Sequence, residues 1–290
     1  MYPSEFAYHR PGSLGEALSL LQSNGDGDVK VLAGGQSLLP LIKLRLAQPS
    51  ALVDMARVPE LRGIVEEGDG IVLGAMTTYF QAIDSPLVQW RCPLIVQALR
   101  QVGDPQVRAR GTIGGSLAHA DPAGDLPAVA VALDAEIRAI GPSGQRSIPA
   151  SDLFVDMLTT SLQPNEVVTA VKFAATDRPR TGTAYVKHRH PASGYAVVGV
   201  AAVVMLNEDG TCNAARVGIT GAGTHATRAT GVEQALAGQS LDANTLAQAA
   251  SHAADGLDVM GDTYASAEYR RHLAHVLARR AIAEAAGRAR

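Results

Sequence analysis

Apolar positions recur along the chain at helical and at alternating spacing, and the switches between the two predict a run of short α and β segments. Leu14, Ala17, Leu18 and Leu21 are spaced as one face of a helix. Ser13-Leu14-Gly15-Glu16 sets a hydroxyl and a carboxylate at capping-box spacing just before them, so a helix is predicted to about Gln22. Asn24-Gly25-Asp26-Gly27-Asp28 forces a turn. Val29 to Ala33 then reads as a strand or as the end of a buried helix-turn segment. Leu38 to Leu46 is apolar apart from Lys43 and Arg45, and Leu52-Val53-Asp54 reads as another strand. These segments predict a small α/β unit closing near Arg57 to Pro59.

Leu61 to Val65 and Ile71 to Ala75 flank Gly68-Asp69-Gly70, a hairpin pattern. Thr77 is expected to cap a helix through Ile83. Pro93 fits the first turn of another, with Leu94, Val96, Leu99 and Val102 inward and Gly103 ending it. Leu126 to Leu133 predicts a short apolar helix, Ala135 to Ile140 and Arg146 to Ile148 a second hairpin, and Glu166 to Phe173 a further strand. The polar stretch Asp177 to Gly182 is the expected boundary between residues 1–177 and 178–290. Beyond it come strands at Ala184 to Arg189, Ala196 to Leu206 and Ala214 to Gly221, then three helices. The last carries Tyr269, Leu273, Val276, Leu277 and Ile282 on one face; Arg270, Arg271, Arg279 and Arg280 elsewhere read as a solvated face or as a docking surface for an acidic partner.

At 290 residues and 47% hydrophobic the chain can bury a full core, and a formal net charge of -3 gives no electrostatic reason to expect nucleic acid or an anionic membrane as partner. The longest apolar run, Tyr195 to Leu206, falls short of the roughly 20 residues that a membrane helix needs. The N-terminus lacks the basic and long apolar regions of a secretory signal, so a cytoplasmic protein is expected. Two cysteines, Cys92 and Cys212, stand far apart and outside any CxxC pair, so no iron–sulfur cluster or structural zinc is expected within the chain. His272 and His275 lack a third ligand, and His188 and His190 lack carboxylate or cysteine company, so no metal site is expected. Gly-x-Ser-x-Gly and Gly-x-Gly-x-x-Gly are both missing, against a hydrolase elbow and a Rossmann site.

The chemistry concentrates in two glycine pairs, Ala33-Gly34-Gly35-Gln36-Ser37 and Thr112-Ile113-Gly114-Gly115-Ser116. Glycine takes positive φ and lets a ligand approach the backbone. Each stretch is an ordinary tight turn, or the two face one another as nests of free amides around a pyrophosphate. Asp125 either caps the helix at Leu126 or accepts from a ribose diol or adenine edge. Lys187 and Tyr195, taken singly, are surface residues; together they offer a cation and a ring of the kind a flavin uses.

The two glycine stretches extended to Leu38-Leu39-Pro40, together with Asp121-Pro122-Ala123-Gly124-Asp125, Tyr8-His9-Arg10-Pro11 and Gly74-Ala75-Met76-Thr77-Thr78, closely resemble the FAD-binding medium subunit of the molybdenum hydroxylases, the group of carbon monoxide and xanthine dehydrogenases. That resemblance covers nearly the whole chain. It implies an α+β fold: a two-part FAD-binding domain of the vanillyl-alcohol-oxidase (PCMH) type, with parts at about 1–57 and 58–177, and a C-terminal domain with a three- or four-stranded antiparallel sheet. By the same resemblance, amides of Ala33 to Ser37 and Thr112 to Ser116 hold the FAD pyrophosphate and Asp125 meets the adenosine half. Leu38, Val102 and Val168 line the flavin or adenine, Lys187 contacts the flavin, and Tyr195 stands beside the isoalloxazine. Gln36 replaces a common histidine and Ser116 a common asparagine; each keeps a hydrogen-bonding group. The implied partners are a large molybdenum-pterin subunit and a small subunit with two [2Fe-2S] clusters, in a dimer of heterotrimers. The implied role is electron relay to an external acceptor, with a self-contained flavin oxidase as the alternative.

Overall fold

The computed structural model describes residues 2–23 and 28–289, so the turn expected at Asn24 to Asp28 lies mostly outside the described residues. Three parallel strands open the chain: β1 (Ala7–His9), β2 (Val29–Leu32) and β3 (Ala51–Asp54), in the order β1-β3-β2. The middle strand β3 is buried at every position: Ala51, Leu52 and Val53 are apolar, and Asp54 accepts from the Tyr8 hydroxyl and the Ala56 amide. Helix α1 (Leu14–Ser23) drops Ala17 and Leu21 into this core, and Ser13 Oγ accepts from the Glu16 amide at 3.2 Å. Strand β1 has no sequence signal, because three residues with one partly buried position carry no measurable period. Helix α2 (Leu38–Lys43) follows the first glycine pair.

The middle of the chain is an antiparallel sheet with helices inserted between its strands. Hairpin β4 (Ile64–Glu67) and β5 (Gly70–Gly74) forms as the pattern predicts. Six helices follow: α3 (Tyr79–Asp84), α4 (Pro86–Arg91), α5 (Pro93–Leu99), α6 (Pro105–Arg110), α7 (Ile113–His119) and α8 (Asp125–Ala132). Then come hairpin β6 (Glu136–Gly141) and β7 (Gly144–Pro149), a turn of helix α9 (Ala150–Leu153), the short pair β8 (Phe154–Asp156) and β9 (Thr159–Thr160), and β10 (Val167–Ala174). The sheet order is β4-β5-β10-β6-β7, so the last strand slots into the centre between two hairpins.

Two expectations change here. Thr78 rather than Thr77 caps α3, completing a capping box with Gln81, because Thr77 is buried and gives its hydroxyl to the Gly63 carbonyl at 3.2 Å. The second glycine pair is not a turn but the first turn of α7, with Thr112 as its N-cap.

The C-terminal part is a four-stranded antiparallel sheet, β11 (Thr181–Arg189), β12 (Ala196–Leu206), β13 (Cys212–Thr220) and β14 (Thr227–Arg228), in sequential order. Helices α10 (Thr230–Leu236), α11 (Ala243–Ala250) and α12 (Ala267–Ala289) cover one face. α12 lies so close on β11 that a Cβ at Gly182 would stand 2.6 Å from the Ala289 nitrogen. Arg270 is a correction to the solvated arginine face: it is buried, and its Nη1 donates to the carbonyls of Val197 at 2.6 Å and Gly221 at 2.7 Å. It ties the last helix to the ends of β12 and β13.

Helix α8 is buried at all eight positions, which a helix apolar all round must be. It lies between α5 and α7 on one side and the back of β12 and β13 on the other, where a Cβ at Gly218 would reach within 2.8 Å of Val131. Tyr185, Ala201 and Val203 share one core cluster with Leu126, Ala128 and Val131. The C-terminal sheet is therefore fixed in place against the helix that starts at Asp125. No helix among the described residues is long and apolar enough to cross a membrane.

Candidate cofactor site

The first glycine stretch is a loop between β2 and α2 with an uncommon hydrogen-bonding state. None of the N–H groups of residues 33–38 donates to an acceptor among the described residues, and Ser37, the N-cap of α2, makes no side-chain cap bond. A run of unpaired, partly exposed amides is costly unless water or a ligand takes them up. Gly35 sits at φ +78, which needs no Cβ. Gly34 runs against the end of α6: a Cβ there would stand 2.8 Å from the Arg110 carbonyl carbon and 3.1 Å from Gly111 Cα. The guanidinium of Arg110 is exposed and has no partner among the described residues.

The second stretch differs. The amides of Ile113, Gly114 and Ser116 donate to the carbonyls of Thr77, Ala75 and Thr112, and that of Gly115 to Thr112 Oγ1 at 3.2 Å. The expectation that Thr112 to Ser116 offer a second set of free amides is corrected: a helix start packed on β5 has already paired them. Gly114 serves packing, since a Cβ there would lie 2.5 Å from Ala75 Cβ. Gly115 marks the meeting of the two stretches, where its Cβ would stand 3.3 Å from Ala33 Cβ. Ala33, Gly114, Gly115 and Val168 line one cavity of about 80 Å³ under this contact.

Hydroxyls flank the two stretches. Tyr195, 44% exposed, has its phenol beside the Ser37 hydroxyl and the Asp121 carboxylate; burial raises its pKa, Asp121 adds to the rise, and Ser37 opposes it. Tyr79 lies beside Ser116, and burial pushes its phenol up to about 12. Leu38 and Gln36 stand on the loop itself, partly buried and exposed respectively. Val102 is partly buried, and its carbonyl accepts from Arg108 at 2.9 Å.

Asp125 and Lys187 are found together. The Lys187 side chain is 0% exposed, and its Nζ lies 2.9 Å from the Asp125 carboxylate and 3.2 Å from the Gln101 carbonyl. Tyr185 donates to the same carboxylate at 2.5 Å. Burial pushes the carboxyl pKa up and the ammonium pKa down, while their contact opposes both shifts. Asp125, expected at the adenosine half, and Lys187, expected at the flavin, match each other's charge where the start of α8 meets β11. Tyr185 went unnoticed in the sequence, although it lies two residues from Lys187 and so on the same face of a strand. No group of three or more metal-binding side chains exists among the described residues, and Cys92 and Cys212 are buried free thiols.

Comparison with known proteins agrees with this geometry. Residues 4–174 match the FAD binding domain in molybdopterin dehydrogenase, and residues 183–285 the CO dehydrogenase flavoprotein C-terminal domain. The chain is 41% identical to the carbon monoxide dehydrogenase medium chain of Hydrogenophaga pseudoflava over 282 residues, 97% of each chain. It is 38% identical over 290 residues to the 6-hydroxypseudooxynicotine dehydrogenase complex subunit alpha of Paenarthrobacter nicotinovorans, covering 100% of this chain and 97% of that one. A solved structure of the Hydrogenophaga pseudoflava carbon monoxide dehydrogenase superposes with a TM-score of 0.95 at 41% identity, covering 99% of both chains. The chain thus belongs to the family of FAD-binding medium chains of carbon monoxide dehydrogenase and related molybdenum hydroxylases, and is the flavoprotein component of an oxidoreductase.

Proposed function

We propose that this chain is the electron-transfer subunit of a heterotrimeric molybdenum hydroxylase, taking electrons from [2Fe-2S] clusters of a small partner and passing them to an external acceptor. Substrate is oxidised on a large molybdenum-pterin partner, the assembly is a dimer of heterotrimers, and the compartment is the cytoplasm. Residues 1–177 carry the FAD and residues 178–290 close over it.

The observation that carries this reading is the row of unpaired amides at residues 33–38. A pyrophosphate supplies ionised acceptors, and hydrogen bonds to charged groups contribute about 1.5–3 kcal/mol each. The loop fits that group, because Gly34 can pack directly on the Arg110 and Gly111 backbone and Gly35 can take φ +78, so the amides of residues 33–38 stay unpaired. Arg110, whose backbone abuts Gly34, is itself exposed. Ser116, Ser37 and Tyr195 give further polar contacts, with Leu38, Val102 and Val168 as the apolar lining. Bound FAD supplies a store for two electrons that also exchanges them singly. The chain's own groups orient it: the Asp125–Lys187–Tyr185 cluster locks β11 against α8, and this fixes where the Tyr195 ring stands relative to the loop.

The test is reconstitution. The chain purified alone is expected to be yellow with a flavin spectrum and to stay oxidised under anaerobic substrate. Adding the partners, expected at ~80–90 kDa and ~17 kDa by family analogy, should bleach it. A protein that stays colourless after incubation with FAD sinks the proposal. Bleaching by a small substrate without partners would instead favour a self-contained oxidase.

A further inference from the structure

One loop beside the site is organised by an imidazole. Residues 190–195 join β11 to β12, and every backbone N–H in them is satisfied within the loop. His190 donates to the Tyr195 carbonyl at 2.8 Å, closing the base, and Gly194 to the His190 carbonyl at 2.9 Å. Tyr195 donates to Ser193 Oγ at 3.4 Å. The two amides at the tip, Ala192 and Ser193, both point at His190 Nδ1, each at 3.3 Å. An imidazole nitrogen that accepts carries a lone pair, so this network assigns the neutral ring's proton to Nε2. The Tyr264 ring packs against it edge-on, with centroids 4.4 Å apart. Gly194 at φ +73 then turns the chain so that the next residue, Tyr195, reaches Ser37 of the amide-bearing loop.

We propose that His190 is a positioning residue for Tyr195: its Nδ1 lone pair caps the 190–195 loop and thereby fixes the ring beside the bound flavin. The inference rests on the reading that Tyr195 borders the flavin. Asparagine is the conservative replacement, because its side-chain oxygen accepts amides two and three residues on in the same manner.

The experiment uses the full chain, with and without FAD, as wild type, His190→Ala, His190→Asn and Tyr195→Ala. Hydrogen exchange of the peptide spanning the loop is read by mass spectrometry, and the visible flavin band is read in the loaded protein. Losing the one acceptor that both tip amides share in His190→Ala should speed loop exchange roughly tenfold and shift the flavin band as Tyr195→Ala does. His190→Asn should restore both. The proposal is overturned if His190→Ala leaves exchange unchanged, if His190→Asn behaves like His190→Ala, or if Tyr195→Ala moves the band and His190→Ala does not. Should exchange respond as expected while neither Tyr195→Ala nor His190→Ala moves the band, the cap stands and it is the placement of Tyr195 beside the flavin that fails.

Discussion

Replacing Gly34 by alanine separates cofactor binding from folding. The added Cβ would stand 2.8 Å from the Arg110 carbonyl carbon and 3.1 Å from Gly111 Cα, both backbone atoms that no rotamer change can move. Something must shift, and the lighter side is the loop of residues 33–38, whose amides are tied to nothing among the described residues. The overpacking costs about 1–3 kcal/mol if it is not relieved. If the loop moves enough to misalign a single charge-assisted bond to pyrophosphate, about 1.5–3 kcal/mol of binding is lost, or roughly tenfold to 150-fold in Kd. The assay is titration of apo-protein with FAD by flavin fluorescence quenching, beside thermal melts of the apo-protein. Gly15→Ala is the control, since nothing lies within 4 Å of its Cβ position. Gly114→Ala is the contrast: its Cβ would press on Ala75 inside the core, so it should lower the melting temperature first. Unchanged FAD affinity in Gly34→Ala would refute the loop as the pyrophosphate holder. Lost FAD affinity at an unchanged melting temperature in Gly114→Ala would show that the second glycine stretch binds directly.

Lys187→Met leaves a buried carboxylate without its cation and should cost about 3–5 kcal/mol in chemical denaturation, with part recovered by adding Asp125→Asn; simple additivity of the two would remove the pairing argument. Burial pushes the thiol of Cys92 up to about 12 and that of Cys212 up to about 11, so neither should react with iodoacetamide at pH 8 in the folded chain, and rapid labelling would mean the core opens readily. The Arg146 guanidinium, with Nε 2.7 Å from the Glu166 carboxylate, holds that carboxyl below its ordinary value of 4.5. A depressed carboxyl stabilises the fold above its unfolded value and loses that contribution as pH falls through the folded one. Glu166→Gln should therefore lower stability by about 1 kcal/mol at pH 7 and flatten the acid limb below pH 4.5; an identical acid limb would contradict the pairing.

Local sequence rules account for much of the molecule, because they act over a few residues. The hairpin about Gly68-Asp69-Gly70, the helix opened by Pro93 and the eleven-residue strand Ala196–Leu206 all follow from turn chemistry and period, and each is present. Helices α4 and α6 were missed by the apolar pattern; Ser85-Pro86 and Asp104-Pro105, cap-and-proline starts, are the signal that could have found them. The two glycine stretches were visible as special, but look alike in sequence. Only the tertiary structure separates them: one leads into a short helix with its amides unpaired, while the other starts a helix whose amides donate to Thr77, Ala75 and Thr112. Likewise Asp125 and Lys187 stand 62 positions apart, and nothing local shows that each neutralises the other. Charge pairing and backbone satisfaction depend on which groups the fold brings within about 3 Å, and that distance is decided by the packing of α8 on β12 and β13 and the pairing of β11 with β12, not by the identity of either residue.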